Sequence, residues 1–488
     1  MQIQFAAGTD VGQVREHNED NYLVDKKLQL YVVADGMGGH SSGEIASALA
    51  VNIVRENVLK NQEMIDEYVS GQPTVTRRDI LALLEHSIQH ACYRIFEKGL
   101  NNPRQRGMGT TLTAMMIVGG RGFLGHVGDS RLYLVRQSQV HQLTEDHSLL
   151  NELLKHGKVK NLKDIDQRFK NAVTRAVGVY ESVEVDTLDF DILPGDRFML
   201  CSDGLHGYLD TDLILEKSRT ENLQAAVTDF VEYANKKGGK DNITCILLQA
   251  VDSNDGDYTD VKLKFDTLRR LTLFRYLNYQ ELVRVMNIAS EQHWEPGHTI
   301  FKEGQEEDCL YVLVRGEVEI RKGDTCLATL RDGSHFGEMS LVDKSPRSAD
   351  AICVAPSVAL IVSRRDFYDV LRKNSALAVK MLWSFIKSLS ARLRSTSEEL
   401  SQIKAQFRSY GEFSSADDEL VARWLAPVTE LDIGIGHRSA DEPEGNADTF
   451  PAELLPLTRF VQVTKTPRST PPRFGGADTA VGAKSQES

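Results

Sequence analysis

Several carboxylates in the first half of the chain follow apolar runs or glycine-rich turns, where metal chemistry is feasible. Asp35 comes directly after YVVA and precedes Gly36, and Asp203 comes after RFMLCS. Asp129 follows FLGHVG, and Asp241 follows the turn-forming KKGGK. Glycine lets the backbone approach an ion closely and frees its carbonyl as a ligand. Carboxylates without matching cations would repel one another if brought together, so the pattern predicts a site for divalent ions.

Each of these residues also has an ordinary structural interpretation. An Asp-Gly pair is typical of a tight hairpin turn, and Arg15 taken alone is a surface charge. The repetition of the pattern favours a shared site. An all-oxygen set without His or thiolate ligands suits Mg²⁺ or Mn²⁺ rather than zinc. From the residues alone, a hydrolase that uses hard metal ions is therefore one hypothesis, and simple turn structure is the other.

Strands and helices must bring these acids together. Branched and aromatic runs predict strands, and apolar residues at helical spacing predict helices over 42–60 and 78–99. On the second helix, Ile80, Leu84 and Ile88 fall on one face. The predicted strands are 31–34, 112–118, 131–135 and 197–200. Strands with helices inserted between them indicate a layered α/β or α+β domain.

Composition narrows the function classes. The 488 residues carry 57 Lys and Arg against 70 Asp and Glu, a formal net charge of −13, so a nucleic acid polymer is a poor partner. No apolar run approaches the ~20 residues of a membrane span, and the N-terminus lacks a signal-peptide pattern. The six Cys form no C-x-x-C pair. We therefore expect a cytoplasmic protein without a membrane partner.

The motifs of the first 250 residues, taken in order, resemble those of bacterial metal-dependent type 2C Ser/Thr protein phosphatases. The matching segments are TDVGQVREHNEDNY at 9–22, VVADGMGGHSSGEIAS at 32–47, GMGTTLTAM at 107–115, GHVGDSRLYLV at 125–135, LTEDHS at 143–148, VTRAVG at 173–178, CSDGL at 201–205 and DNITCILL at 241–248. The resemblance implies a four-layer α-β-β-α sandwich that carries a metal centre at one edge. It also implies hydrolysis of phosphoserine and phosphothreonine in proteins by a metal-activated water.

The family's metal-binding roles transfer to five positions. The resemblance implies that Asp35 bridges two Mn²⁺ or Mg²⁺ ions and that Gly36 offers its backbone carbonyl. Asp203 is expected to bind one ion and Asp241 the other. Asp129 is expected to help hold a third, weaker ion.

The substrate side of the site is assigned by the same resemblance. Glu19 and Asp20 are expected to hold waters around the ions, and Arg15 is expected to grip the substrate phosphate. The segment 149–172 falls where the family has a variable flap, which we expect to tune substrate choice. No Cys or Ser nucleophile is assigned, because the mechanism needs no phosphoenzyme.

A second unit follows an acidic, turn-rich stretch at 251–262, which we predict to be a linker. Residues 263–410 begin with a helical pattern and continue through short strands separated by glycines over 294–363, as in a small barrel or jelly roll. A helix is predicted from about 366 to 408, with Asn374 capping its second half. Its predicted apolar stripe is Leu382, Phe385, Leu389 and Leu393. The remainder, 411–488, is rich in proline, lacks periodicity and is predicted to be mostly disordered.

The glycine-punctuated region contains Phe-Gly-Glu and, seven residues later, Pro-Arg. This cassette resembles the cyclic-nucleotide-binding domain. The resemblance implies that Glu338 accepts a hydrogen bond from the ribose and that Arg347 pairs with the cyclic phosphate of cyclic AMP or cyclic GMP. The carboxylate of Asp350 adds negative charge near this anionic ligand, which would weaken binding. The pocket residues implied by the resemblance are Phe336, Gly337, Glu338, Met339, Ser340, Arg347, Ser348 and Ala349.

Together these observations predict a phosphatase fused to a cyclic-nucleotide sensor that regulates it, with the helix from 366 acting as a lid. The alternative is a catalytically weak scaffold that binds phosphoproteins and carries a sensing or docking domain. The expected partners are Ser/Thr-phosphorylated proteins and a cyclic nucleotide, and a Ser/Thr kinase is a candidate. The helix over 376–408 is also a candidate for homodimerisation.

Overall fold

Two antiparallel sheets face each other in the computed structural model of the chain, which describes residues 1–38, 42–155, 172–251, 255–342 and 346–409. The first sheet has the order β1 (Gln2–Asp10), β11 (Ile243–Val251), β10 (Arg197–Cys201), β7 (Arg131–Arg136) and β8 (Gln139–Gln142). The second has the order β2 (Asp20–Asp25), β3 (Leu30–Met37), β5 (Leu112–Val118), β6 (Arg121–Val127) and β9 (Asp186–Asp191), with β4 (Gly109–Thr110) paired to β3.

Helices cover the outer face of each sheet. The helices α1 (Ser42–Lys60), α2 (Gln62–Val69) and α3 (Arg77–Asn101) pack on the second sheet, and α6 (Thr211–Ser218) and α7 (Leu223–Lys236) pack on the first. Two shorter helices are α4 (Leu149–Lys155) and α5 (Asp203–His206). The resulting order of layers is helix, sheet, sheet, helix, which confirms the predicted α-β-β-α sandwich.

Strand β3 shows why the predicted apolar runs are continuous. Tyr31 and Val33 lie in the core between the two sheets, whereas Leu30 and Val32 lie in the core beneath the helices. Successive side chains point to opposite faces of a strand, and here both faces are buried. The predicted strands and the two predicted helices are confirmed, and the helical face that includes Ile80 is buried.

A second β-rich unit contains two four-stranded antiparallel sheets. Their strands are β12 (Ala289–Trp294), β13 (Thr299–Phe301), β14 (Cys309–Arg315), β15 (Glu317–Lys322), β16 (Thr325–Arg331), β17 (His335–Phe336), β18 (Asp350–Cys353) and β19 (Ser357–Ser363). Its helices are α8 (Asp255–Arg270), α9 (Tyr279–Ile288), α10 (Met339–Val342), α11 (Arg364–Lys373) and α12 (Ser375–Ser409). The predicted small barrel with flanking helices is therefore present.

Helix α8 differs from the turn-rich conformation predicted for 251–262. It begins at Asp255, and its last turn contains Arg269 and Arg270. Acidic residues at the start of a helix and basic residues at its end both interact favourably with the helix dipole, so an acidic, polar stretch is compatible with a helix here. The predicted tail and most of the predicted flap, residues 156–171, lie outside the described residues.

The helices α11 and α12 confirm the predicted cap at Asn374 and show which face of the long helix α12 packs on the rest of the chain. Asn374 separates α11 from α12, and its side-chain oxygen accepts a hydrogen bond from the Leu377 amide at 2.9 Å, as expected of a cap. Of the four residues in the predicted apolar stripe, Phe385 is buried, whereas Leu382, Leu389 and Leu393 are exposed. The helix instead packs through a neighbouring face, which includes Leu377, Met381 and Phe385.

Helix α9 joins the two units. Val283 is buried in the core between the two sheets of the sandwich, and Leu282 is buried in the core of the second unit. The α9 side chains therefore complete two hydrophobic cores at once. Among the described helices, none is long and apolar enough to cross a membrane.

Candidate metal centre and nucleotide pocket

Strand register places two of the predicted acids side by side at one end of the gap between the sheets. Tyr31 and Val33 face that gap, and Asp35 is the next residue of the same parity. Asp20, the first residue of β2, is paired directly opposite Asp35. Side chains of directly opposed residues are neighbours on one face, so two carboxylates meet where the apolar core ends. Asp35 lies within β3, which continues to Met37, rather than after the end of the strand.

Asp20 is held by hydroxyl groups from the opposite sheet. One carboxylate oxygen accepts hydrogen bonds from the Ser202 hydroxyl at 2.8 Å and from the Thr244 hydroxyl at 2.6 Å. The other oxygen is buried and has no hydrogen-bond partner within the described residues. A buried acceptor of this kind is suited to accept a hydrogen bond from a water or to bind an ion. Ser202 and Thr244 therefore connect Asp20, which belongs to the second sheet, to the first sheet. The sequence analysis assigned no role to either residue.

Asp35, Asp203 and Asp129 are close enough to influence one another. Asp203 begins α5, with one residue between it and the end of β10, and its carboxyl group interacts with that of Asp35. Burial and the nearby carboxylates of Asp20 and Asp203 raise the pKa of Asp35 well above its usual value. Burial and the charge of Asp203 raise the pKa of Asp129 to about 7. The four acids would therefore need positive charge to remain ionised together.

Glycine is required where the acid-bearing segments touch. A Cβ on Gly36 would lie 2.3 Å from the Gly43 carbonyl oxygen and 2.5 Å from that of Glu19. A Cβ on Gly204 would lie 2.1 Å from the Asn242 carbonyl oxygen. All three distances are far shorter than any real Cβ contact, so a side chain at either glycine would push the acidic segments apart.

Arg15 and Asp241 form the more exposed part of the site. The Arg15 guanidinium donates to the Asp241 carboxylate at 2.7 Å, and the Arg15 side chain is 52% exposed. Asn242 fixes the preceding loop, because its side chain accepts from the Glu19 amide at 2.8 Å and donates to the His17 carbonyl at 3.0 Å. The loop therefore carries Arg15 to the edge of the acid cluster. The sequence reading quoted Asn242 in a motif but missed this role.

The residues present fit hard divalent ions. The acids that meet here are carboxylates, which are the ligands that Mg²⁺ and Mn²⁺ prefer. Among the described residues, no three His, Cys, Asp or Glu side chains could hold an ion by themselves. Ions at this edge would therefore also need backbone carbonyls, such as that of Gly36, and waters, which Mg²⁺ commonly retains.

The second unit buries the predicted phosphate-binding arginine. Arg347 is 5% exposed, and its guanidinium donates to the Ser340 hydroxyl at 2.7 Å and to the Cys309 carbonyl at 2.9 Å. The guanidinium carbon also lies 4.2 Å from the centre of the Phe301 ring. Its Nε is buried without a partner among the described residues. An unpaired buried donor of this kind fits an anionic ligand.

Glu307 is a pocket residue that the sequence reading missed. Its carboxylate lies 3.4 Å from the Arg347 guanidinium and accepts a hydrogen bond from the Tyr311 hydroxyl at 2.6 Å. The Tyr311 ring stacks on Phe336 at 5.0 Å. No motif of the predicted cassette includes Glu307, and only its place just before a buried strand could have drawn attention to it.

The remaining predicted pocket residues divide into buried and exposed groups. Glu338, Ser340 and Ala349 are buried, whereas Met339 and Ser348 are exposed. Gly337 has a φ of +74°, and a Cβ there would lie 2.5 Å from the Arg347 guanidinium, so glycine is required.

The Asp350 side chain is hydrogen-bonded to the backbone of the barrel. Its carboxylate accepts a hydrogen bond from the Glu303 amide at 2.6 Å. This contact anchors the turn after β13 and gives the side chain a structural role. A weakening effect of the Asp350 charge on nucleotide binding stays a prediction.

Two family descriptions match separate parts of the chain. Residues 7–248 match the family described as protein phosphatase 2C, and residues 291–374 match the family described as cyclic nucleotide-binding domain. The first match includes every residue of the acid cluster described above. The second includes the Phe-Gly-Glu cassette and Arg347.

Curated relatives resemble the first half of the chain. The serine/threonine phosphatase Stp of Listeria innocua is 37% identical over 247 residues, which is 49% of this chain and 93% of that protein. The protein phosphatase PhpP of Streptococcus pneumoniae is 34% identical over 250 residues, or 50% of this chain and 97% of that protein. A solved structure of the Mycobacterium tuberculosis phosphatase PstP covers 51% of this chain and 99% of its own, with 31% identity and a TM-score of 0.45.

Divalent ions are expected to stabilise the full-length protein. Adding Mn²⁺ after EDTA treatment should raise the melting temperature, because a ligand that binds only the folded state stabilises it. Asp203→Asn should remove most of this increase, whereas Asp212→Asn, which changes an exposed acid on α6, should retain it. Differential scanning calorimetry measures the effect. An equal Mn²⁺ response in both variants would contradict the proposed convergence of ligands on Asp203.

Proposed function

The chain belongs to the protein phosphatase 2C family and is a serine/threonine phosphatase, and from this premise we propose how its residues divide the work. Asp35, Asp203 and Asp241 hold the divalent ions, with the Gly36 carbonyl as a further ligand. Asp129 contributes to a third ion. The observation that carries this assignment is the convergence of Asp35, Asp129 and Asp203 where the core between the sheets ends.

When bound, two divalent cations, Mn²⁺ or Mg²⁺, supply an activated water and offset charge on the phosphoryl oxygens. The chain's own residues orient the reactants. Glu19 and Asp20 accept hydrogen bonds from waters around the ions, and the partnerless buried oxygen of Asp20 is available for one. Arg15 binds the substrate phosphate, which replaces its contact with Asp241. A guanidinium matches the geometry of a phosphate, so this exchange keeps Arg15 paired.

Loss of the central acids is expected to abolish catalysis. Asp35→Ala and Asp203→Ala should each lower Mn²⁺-dependent hydrolysis of a phosphothreonine peptide by at least about 10³-fold, because each removes a ligand for the ions that activate the water. Arg15→Ala should raise KM more than Arg15→Lys does, because lysine keeps the charge but loses the fork. The exposed-acid variant Asp212→Asn is the control. Wild-type rates in Asp35→Ala would contradict the assignment.

For the second unit we propose binding of cyclic AMP or cyclic GMP. Arg347 pairs with the cyclic phosphate, and its buried, unpartnered Nε supports this role. Glu338 accepts from the ribose hydroxyl, and residues 336–340 and 347–349 line the pocket. Helix α11 acts as the lid, and its Arg364 already reaches the Ser340 carbonyl of α10 at 3.4 Å.

Nucleotide binding is expected to depend on the buried guanidinium. Arg347→Ala should weaken binding of either cyclic nucleotide by at least about 100-fold, because a charge-assisted contact to a buried phosphate is lost. Arg331→Ala, which changes an exposed arginine on β16, should leave the affinity unchanged. Isothermal titration of the full chain measures both. If the wild type shows no saturable binding at high micromolar concentration, the nucleotide proposal is wrong.

We further propose that nucleotide binding regulates the phosphatase through α9. On one side, the Tyr279 hydroxyl accepts from Arg136 at 2.7 Å, and Asn287 donates to the Asp189 carbonyl at 2.7 Å. On the other side, Glu281 accepts from Lys380 of α12 at 2.9 Å. A shift of α11 and α12 would therefore be transmitted to strand β9 through the contacts of α9.

Breaking the α9 contact with β9 is expected to remove nucleotide control and leave basal activity intact. In Asn287→Ala, the ratio of rates with and without saturating nucleotide should move toward one, while the rate without nucleotide stays within about twofold of wild type. Coupling of this kind typically changes a property by about 5- to 150-fold. The exposed-residue variant Asn101→Ala is the control. A wild-type ratio in Asn287→Ala would contradict the role of this contact.

Helix α12 is proposed to form a homodimer through its exposed apolar face. Leu382, Ile386, Leu389 and Leu393 are exposed and separated by four, three and four residues, and Leu400 and Ile403 continue the same seam. Alternate spacings of three and four are the repeat of a two-stranded coiled coil. A second copy of the same helix presents the same seam, which makes it a suitable occupant.

The dimer is expected to depend on the centre of the seam. Leu389→Glu should convert the dimer to monomers, because it would bury a charge in the apolar interface. Ala391→Glu changes an exposed position between seam residues and should leave the dimer intact. Sedimentation velocity distinguishes the two. A monomeric wild type at high micromolar concentration would overturn the proposal.

The domain boundaries, substrates, partner and cellular location are also proposed. We propose a phosphatase domain at 1–250, a linker at 251–262, a nucleotide-binding domain at 263–410 and a separate tail. The substrates are proposed to be phosphoserine and phosphothreonine proteins, with a Ser/Thr kinase as a candidate partner. The six cysteines are free thiols in the structure, which supports a cytoplasmic location.

A further inference from the structure

The turn that carries Asp129 is held between two histidines. Gly128 has a φ of +111°, and its amide donates to Nδ1 of His147 at 3.1 Å. The carbonyl of Asp129 accepts from Nε2 of His206 at 2.9 Å. One imidazole accepts and the other donates, so the Val127–Gly128 peptide unit and the Asp129–Ser130 peptide unit are both held in place. Both histidines are buried, as is Asp129.

The second nitrogen of His147 is also engaged. Since Nδ1 accepts, the proton is assigned to Nε2, which lies 3.2 Å from the Asp186 carboxylate and also 3.2 Å from the Arg175 guanidinium. Arg175 donates to the other oxygen of Asp186 at 2.9 Å. Asp186 is the first residue of β9. The His147 ring therefore has one orientation, set by a carboxylate on its far side from the turn.

The backbone of His147 is fixed as firmly as its ring. Its amide donates to the Gly128 carbonyl at 2.8 Å, and its carbonyl accepts from the Thr174 amide at 2.7 Å. His147 and Gly128 are thus joined twice, once through the backbone and once through the side chain. A displacement of His147 would move the Gly128 peptide directly. The opposite side of the turn offers little room, because a Cβ on Gly128 would lie 2.6 Å from the Thr111 side chain.

We propose that His147 is a positioning residue. It orients Asp129 toward the third divalent ion of the metal centre. The proposal rests on the proposed function and adds a residue that would act through Asp129. Hydrogen-bonded residues behind metal ligands typically change metal affinity or activity by about 10- to 100-fold when replaced. The atom of His147 that matters for this role is Nδ1, which accepts the hydrogen bond from the Gly128 amide.

Replacements at position 147 separate the two nitrogens. His147→Asn places an oxygen near the position of Nδ1 and retains an acceptor for the Gly128 amide. His147→Gln places its amide near the position of Nε2 and loses that acceptor, and His147→Leu loses both. Asp129→Ala reports the loss of the carboxylate itself. His90→Leu changes an exposed histidine and is the matched control.

Two measurements on the full chain report the outcome. Calorimetric titration with Mn²⁺ should show that the weakest binding phase is lost or weakened about tenfold in His147→Leu and His147→Gln, while the tighter phases and the melting temperature of the metal-free protein change little. The Mn²⁺ concentration for half-maximal hydrolysis of p-nitrophenyl phosphate should rise by a similar factor. His147→Asn should restore most of both properties.

A double variant decides whether His147 acts through Asp129. In the Asp129→Ala background, His147→Leu should cause no further change in Mn²⁺ binding or in its concentration dependence. An equal further loss in that background would show an independent structural role and overturn the proposal. If His147→Leu does not fold, the Asn and Gln variants decide, and identical behaviour of these two overturns it. A wild type without any Mn²⁺ binding would instead refute the proposed function.

Discussion

Electrostatic repulsion among buried carboxylates is the constraint on which this structure depends. Asp20 and Asp129 are buried and Asp35 and Asp203 are partly buried. The pKa of each carboxyl group is raised because burial and nearby like charges disfavour ionisation. A fold that gathers such groups is costly unless cations offset them. The packed sheets and the close contacts at Gly36 and Gly204 hold these carboxylates together despite their repulsion. Binding of cations would relieve the repulsion, which favours a high affinity for them.

The same architecture gives the second unit access to the phosphatase. Helix α9 completes the core between the sheets and the core of the nucleotide-binding unit, so neither is fully packed without it. Its Asn287 contacts β9 at Asp189, and β9 begins at Asp186, the partner of His147. Proximity along one strand does not establish coupling by itself, because a ligand must favour one arrangement over another. It does identify a short physical route.

Local patterns predicted much of this molecule, and long-range contacts account for what they missed. Continuous apolar runs identified β3 and its neighbours because both faces of those strands are buried, and the polar side chain of Asn374 identified a helix cap. The roles of Asn242 and His147 depend on residues more than 15 positions away in the chain, so no local spacing shows them. The apolar stripe of α12 could be predicted from helical periodicity, but periodicity does not show which of its residues pack on the rest of the chain.

Carboxylates from separate strands are proposed to share divalent ions at the open end of the sandwich. Anomalous diffraction from crystals of the full chain grown with Mn²⁺ tests this proposal most directly. We expect strong peaks between Asp35 and Asp203 and between Asp35 and Asp241, and a weaker peak beside Asp129. Density for Mn²⁺ elsewhere on the surface, with none among these side chains, would contradict it.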